Sequence, residues 1–157
     1  MFERILVCLD QSELAECVLP YAVEEARRFQ GSLTLLSVVH DPYFMVPGIP
    51  GASGGRVEKP GGVEHFMKDK EAAGDYLEKI AGPIREQGIG VDTIVLQGAA
   101  GEAIVTYARD NDDIGLIAIA THGYSGLRRV VFGSVAEHVL RHAGDPVLLI
   151  RAAPEED

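Results

Sequence analysis

The sequence predicts a doubly wound α/β fold: a five-stranded parallel sheet in the order 3-2-1-4-5, with helices on both faces. Three observations carry this expectation. Apolar residues come in continuous short runs rather than in alternation, as strands buried on both faces require. Segments with helical spacing separate those runs. The ends of the first and fourth runs are the richest in polar residues and glycine, and in such sheets ligands bind beyond the strand ends where the strand order reverses.

The first run, Arg4-Ile-Leu-Val-Cys-Leu-Asp10, ends on a carboxylate. Ser12 is suited to cap the next helix, where Leu14, Val18, Ala22, Ala26 and Phe29 recur at helical spacing before Gly31. Pro20 lies inside that pattern and predicts a kink, because it frees the carbonyl of Glu16. Leu33 to Val39 is the second strand. Between Asp41 and Gly62 the periodicity vanishes among four prolines and six glycines, which predicts a long flexible surface loop with Tyr43, Phe44 and Met45 as apolar hooks. Helical spacing returns from Glu64 through Phe66, Lys70, Ala73, Leu77, Ile80 and Ala81. Gly82-Pro83 should break or bend this helix, and Gly88 and Gly90 end it. Val91 to Leu96 is the third strand, and Gly98 and Gly101 flank a turn into a short helix from Glu102 to Arg109. Ile114 to Ala120 is the fourth strand, Ser134 to His142 a helix, and Pro146 to Ile150 the fifth strand. One domain over residues 1–151 is expected, with a frayed acidic tail over 152–157.

A chain of 157 residues can bury one good core without a disulfide or metal to hold it. Its net charge of −10 argues against nucleic acid or an anionic membrane surface as partner, since both need a basic face. No run reaches the roughly 18 apolar residues of a membrane span, and Met1 to Arg4 leads into a strand pattern without the features of a signal peptide. Cys8 and Cys17 fall inside core elements and read as buried, reduced thiols of a cytoplasmic protein.

The segment after the fourth strand reads Ala120-Thr-His-Gly-Tyr-Ser-Gly-Leu-Arg-Arg-Val-Val-Phe-Gly-Ser134. Gly123 allows a sharp turn or the close approach of a ligand. Gly133 and Ser134 open a helix, where free amides and the dipole attract an anion. Spacing alone leaves two readings open, a phosphate site or an ordinary strand–loop–helix turn with a serine cap. Arg128 and Arg129 in this stretch suit bidentate contact with phosphate, or are solvated loop residues. His122 has no carboxylate–histidine–nucleophile set around it and reads as structural. His138 and His142 stand at i, i+4, a metal-like spacing, but no further ligand accompanies them and they read as helix-surface residues.

The segment resembles the nucleotide-binding signature of the universal stress protein family: Gly, two residues, Gly, nine residues, Gly, then Ser or Thr. Ala120 stands in place of the first glycine, Gly123 is the second, and Gly133-Ser134 closes the motif. The similarity extends to Ile5-Leu-Val-Cys-Leu-Asp10, Gly98-Ala-Ala-Gly-Glu-Ala-Ile104 and Gly133 to Ile150. It implies a Rossmann-like fold of the adenine nucleotide alpha hydrolase type, binding ATP, with AMP or another adenine nucleotide as the alternative. It also implies site roles. Asp10 would meet the nucleoside, and a carboxylate there can accept from ribose hydroxyls. The backbone of Val38 would read the adenine edge, and Ile119 and Ala120 would line the sugar side. Gly123, Gly133, Ser134 and Val135 would hold the phosphates.

The output expected is a change of shape or partner in a stress-response homodimer, paired through the apolar edge strand Val147 to Ile150. A nucleotide-free interaction module with an unknown protein partner and a slow ATP hydrolase are the alternatives. Against dedicated catalysis, the turn Asp10-Gln-Ser-Glu-Leu14 has neither glycine nor lysine. ATP's charge of roughly −4 on so acidic a chain predicts Mg²⁺, held by phosphates and water.

Overall fold

The computed structural model describes residues 2–41, 43–45, 56–58, 61–121 and 133–151. Its main sheet has five parallel strands: β1 (Arg4–Cys8), β2 (Ser32–Val39), β5 (Val91–Gln97), β6 (Ile114–Ala120) and β7 (Val147–Ile150). Their order is β5-β2-β1-β6-β7, the predicted 3-2-1-4-5 arrangement. Four α-helices connect them: α1 (Leu19–Phe29), α2 (Gly62–Glu86), α3 (Ala100–Arg109) and α4 (Ser134–His142).

Continuous apolar runs make sense here because each strand feeds two cores. On one face Ile5, Val7, Leu33 and Leu35 pack with Ala22 and Ala26 of α1 and Leu77 and Ala81 of α2. On the other, Leu6, Cys8, Leu36 and Ile117 pack with Ile104 and Ala108 of α3 and Ala136 and Val139 of α4. Ile5, Leu6, Val7, Leu33 and Ile117 are fully buried, and each such side chain contributes about 1.5–3 kcal/mol. No helix among the described residues is long and apolar enough to cross a membrane.

Several expectations are corrected. The helix expected from Ser12 begins instead as a 3₁₀ turn, Ala15–Val18, with Leu14 at its N-cap position; Ser12 stands before it, its hydroxyl accepting from the Ala15 amide at 3.1 Å. The α-helix starts only at Leu19, so Pro20 lies in its first turn, where its missing N–H costs nothing, and no kink results. At the C-terminus of α1 the left-handed residue is Gln30 (φ 53°). Gly31 serves a close approach, since a Cβ there would meet the carbonyls of Phe2 and Glu3.

The segment read as loop contains an antiparallel pair, β3 (Tyr43–Met45) and β4 (Arg56–Glu58), whose three-residue strands are too short to show a period. Helix α2 begins at Gly62 and runs through Gly82-Pro83 to Glu86. Pro83 and Lys79, whose carbonyl loses its partner, are both exposed to water, so the break does not occur. Cys8 is buried as expected, whereas Cys17 is only half-buried; both are free thiols. The tail beyond Arg151 lies outside the described residues.

Candidate functional site

The site follows from unequal strand lengths. β1 ends at Cys8, level with Leu36 of β2 and Ile119 of β6. β2 continues to Val39 and β6 to Ala120, so a notch opens between them, about 10 Å deep on the β2 side at ~3.3 Å per residue. One last bond, from Leu9 N to Leu36 O at 2.8 Å, closes the β1–β2 ladder. Successive residues of a parallel strand turn their polar groups to alternate neighbours. Leu36 faces β1, Ser37 faces β5, and Val38 again faces the β1 side, where β1 has ended. The Val38 amide and carbonyl thus form a donor–acceptor edge with no strand partner on that side among the described residues.

The notch widens into a cavity of about 250 Å³, just below the roughly 300–1,000 Å³ of common ligand pockets. Its floor is apolar, with Cys8, Leu36, Val38, Ile104 and Ile119. Burial in this floor pushes the Cys8 thiol up to about 12, so it is a packing group rather than a nucleophile.

One wall is the start of α4. Gly133 is its N-cap, and the Glu137 amide bonds the Gly133 carbonyl at 2.9 Å. No side chain caps this helix, so Ser134 does not act as the cap that spacing alone allowed. The amides of Ser134, Val135 and Ala136 have no intrahelical acceptor by position, and all three residues border the cavity. Glycine is needed at 133 because its amide bonds Thr121 O at 2.7 Å, and a Cβ would stand 2.9 Å from that same oxygen. The Thr121 amide is itself tied to Ile150 O at 2.8 Å, so the residue that follows β6 anchors the helix start.

The opposite rim is the turn after β1. Asp10 Oδ1 accepts the Ser12 amide at 3.0 Å and the Ser12 hydroxyl, while the residue itself stays exposed. Helix α3 supplies Ala100 and Ile104 beside Val38. It is held close to α4 because Gly101 lies against His138: a Cβ on Gly101 would be 2.8 Å from His138 Cβ. The His138 ring stacks on that of His142 with centroids 4.3 Å apart, and no cluster of three metal-ligating side chains occurs among the described residues.

Of the nominated residues, Asp10, Val38, Ile119, Ala120, Gly133, Ser134 and Val135 all border this one cavity. Gly123, Arg128 and Arg129 lie outside the described residues, as does His122. Ala120 keeps an ordinary negative φ, in register with Ile150, so the freedom of a glycine is not used there. Sequence reasoning missed Cys8, Ala100, Ile104 and Ala136 as lining. Their apolar character signalled core, and only the register shows which core residues border the notch.

A doubly wound parallel sheet with a cavity at its switch point, bordered by the end of β2 and the start of α4, defines a Rossmann-like α/β protein. The chain belongs to the universal stress protein family, whose model matches residues 1–151. Universal stress protein YxiE of Bacillus subtilis is 28% identical over 156 residues, covering 96% of this chain and 100% of the relative. The structure of universal stress protein UspA from Lactobacillus plantarum superposes with a TM-score of 0.79 at 27% identity, covering 96% and 98% of the two chains. The universal stress protein from Archaeoglobus fulgidus, solved in complex with dAMP, gives 0.60 at 27% identity over 96% and 99%.

Proposed function

We propose that this chain is a nucleotide-binding universal stress protein that takes an adenine nucleotide, ATP with Mg²⁺ foremost, in the cavity at the end of β1. The observation that carries the reading is the presence, in one cavity, of the Val38 main-chain edge and the free amides at the start of α4. Adenine offers a matching donor and acceptor on one edge, so Val38 N–H and C=O can read it without a side chain. The apolar floor takes the base, and Asp10 keeps its second carboxylate oxygen for a ribose hydroxyl. Phosphates fit against Ser134, Val135 and Ala136, where a helix N-terminus contributes about 0.3–1 kcal/mol toward an anion and each hydrogen bond about 0.5–1.5 kcal/mol. The dAMP-bound relative supports the ligand class. Gly123, Arg128 and Arg129 belong to the phosphate side of this reading.

In this reading the protein works as a cytoplasmic stress-response homodimer, and its two sheet edges support the choice of β7 for pairing. At the β5 edge, Val91 points its carbonyl outward, and Arg85 of α2 takes it with Nε at 3.0 Å and Nη2 at 2.8 Å. Glu78 holds that guanidinium at 2.6 Å and also accepts the Thr93 hydroxyl. A charged clasp therefore guards β5. The outer edge of β7, Val147–Ile150, pairs with no strand among the described residues.

Calorimetric titration with AMP and with ATP–Mg²⁺ tests the pocket, and light scattering tests the dimer. Ser134→Glu is the informative variant. A carboxylate at the first helical position suits the helix dipole and preserves α4, yet it repels phosphate at the cavity mouth. Micromolar binding by the wild type, weakened about tenfold or more in Ser134→Glu, is the expected result. Equal binding by the two proteins would exclude α4 as the phosphate wall.

A further inference from the structure

The turn that presents Asp10 is held in an unusual shape. Gln11 has φ 66°, a left-handed conformation that a residue with a Cβ adopts only when its surroundings impose it. Within the turn, Asp10 holds Ser12, and the Ala15 amide bonds both the Ser12 hydroxyl and the Ser12 carbonyl at 3.1 Å. Ala15 and Val18 anchor the 3₁₀ turn in the core. A side chain from a second helix on the same face of the sheet also reaches it. Tyr76 of α2 packs its ring against the core and donates its hydroxyl to Glu16 Oε1 at 3.1 Å.

We propose that Tyr76 is a positioning residue of the nucleotide site: by holding Glu16, it keeps the Asp10–Val18 turn in the form that presents Asp10 to the ligand. This rests on the nucleotide reading above. The link runs through the turn itself: Glu16 lies in the 3₁₀ turn Ala15–Val18, whose first amide bonds Ser12, and Ser12 in turn bonds Asp10. Burial holds the Tyr76 hydroxyl above the usual phenol range first, and the charges of Glu16 and Asp10 add to it, so both acids act on this one donor. Without that donor the 3₁₀ turn loses its bond to α2, and the left-handed Gln11 that sets the direction of Asp10 is held less firmly. Coupling of this kind is reciprocal, so a ligand on Asp10 also tightens the hold of α2 on the turn.

Tyr76→Phe removes the hydroxyl and keeps the ring. In nucleotide-free protein, amide hydrogen exchange by NMR at Ser12 and Ala15 is expected to speed up roughly tenfold. AMP affinity by calorimetry is expected to fall by a similar factor. In an Asp10→Asn background the same substitution should change AMP affinity less than about twofold, because the carboxylate that Tyr76 positions is gone. Unchanged exchange at Ser12 and Ala15 overturns the role of Tyr76 while leaving the nucleotide reading intact. Equal loss of affinity in both backgrounds also overturns it, by showing general support of the fold. A wild type that binds no AMP overturns the nucleotide reading, and with it the ligand-positioning role, whatever the exchange rates. Should Tyr76→Phe fail to fold, Glu16→Ala cuts the same bond from its other end and is read by the same three measurements.

Discussion

One substitution made at two glycines tests the packing of the site. Gly101 of α3 and Gly74 of α2 are both helical, and replacing either with alanine gains about 1 kcal/mol of helix propensity. At Gly74 no atom lies within 4 Å of the added Cβ, so the gain should appear nearly whole. At Gly101 the new Cβ would stand 2.8 Å from His138 Cβ and Cγ and 2.9 Å from Cδ2. Ordinary carbon contacts begin near 3.5 Å, so α3 and α4 must separate by roughly 0.7 Å. No rotamer change relieves the closest contact, because His138 Cβ is fixed to the α4 backbone. Overpacking of this kind costs about 1–3 kcal/mol, which leaves Gly101→Ala about 1 kcal/mol less stable than wild type after its propensity gain. Thermal melts should show a fall of ~2–4 °C for Gly101→Ala and a rise of similar size for Gly74→Ala. Urea midpoints should move in the same directions with unchanged slope. A Gly101→Ala protein as stable as Gly74→Ala would refute the claim that glycine sets the α3–α4 spacing.

Two further outcomes follow from the titrating groups. Iodoacetamide at pH 8, followed by peptide mass spectrometry, should label Cys8 only on unfolding, since burial holds its thiol at about 12; Cys8 labelling in the folded protein as fast as in urea would contradict this. Glu78 is held at about 2, below its ordinary 4.5, by hydrogen bonds from Arg85 and Thr93. The lowered value means the folded state favours the ionised form, so the clasp contributes fully above pH 4.5 and loses its contribution as pH falls toward 2. The stability gap between wild type and Glu78→Gln should therefore be constant near neutrality and close between pH 4.5 and 2; a gap that widens in acid would reverse the assignment.

The parts of the fold legible in the sequence are those where one local signal settled the matter. Ile114–Ala120 is apolar almost throughout and bounded by polar turns, and its strand ends where the run ends. Ser134–His142 follows a glycine and carries helical spacing, and α4 has those same bounds. Pro20 and Pro83 misled because the effect of proline depends on its distance from a helix end, which the residue does not announce. At the site, Asp10 and Ser134 could be nominated from their neighbours in sequence, whereas the nomination of Val38 needed the family resemblance. Its free edge exists only because β1 stops short, a fact of register between strands. Tyr76 left no trace at all, since its bond to Glu16 spans 60 positions and a tyrosine at helical spacing reads as core.

The clasp of Arg85 on Val91 bears on how many copies can join. A chain that pairs through both sheet edges can grow without limit, each new copy offering another edge to the next. Here the two ends of the sheet differ: among the described residues β7 has no strand on its outer side, and β5 is stoppered by a guanidinium that a carboxylate locks in place. If two copies pair through β7, both free ends of the combined sheet are stoppered ends, and growth halts at that stoichiometry. Arg85 would then act as a chain terminator for assembly, and its loss would turn a self-limiting pair into an open-ended one.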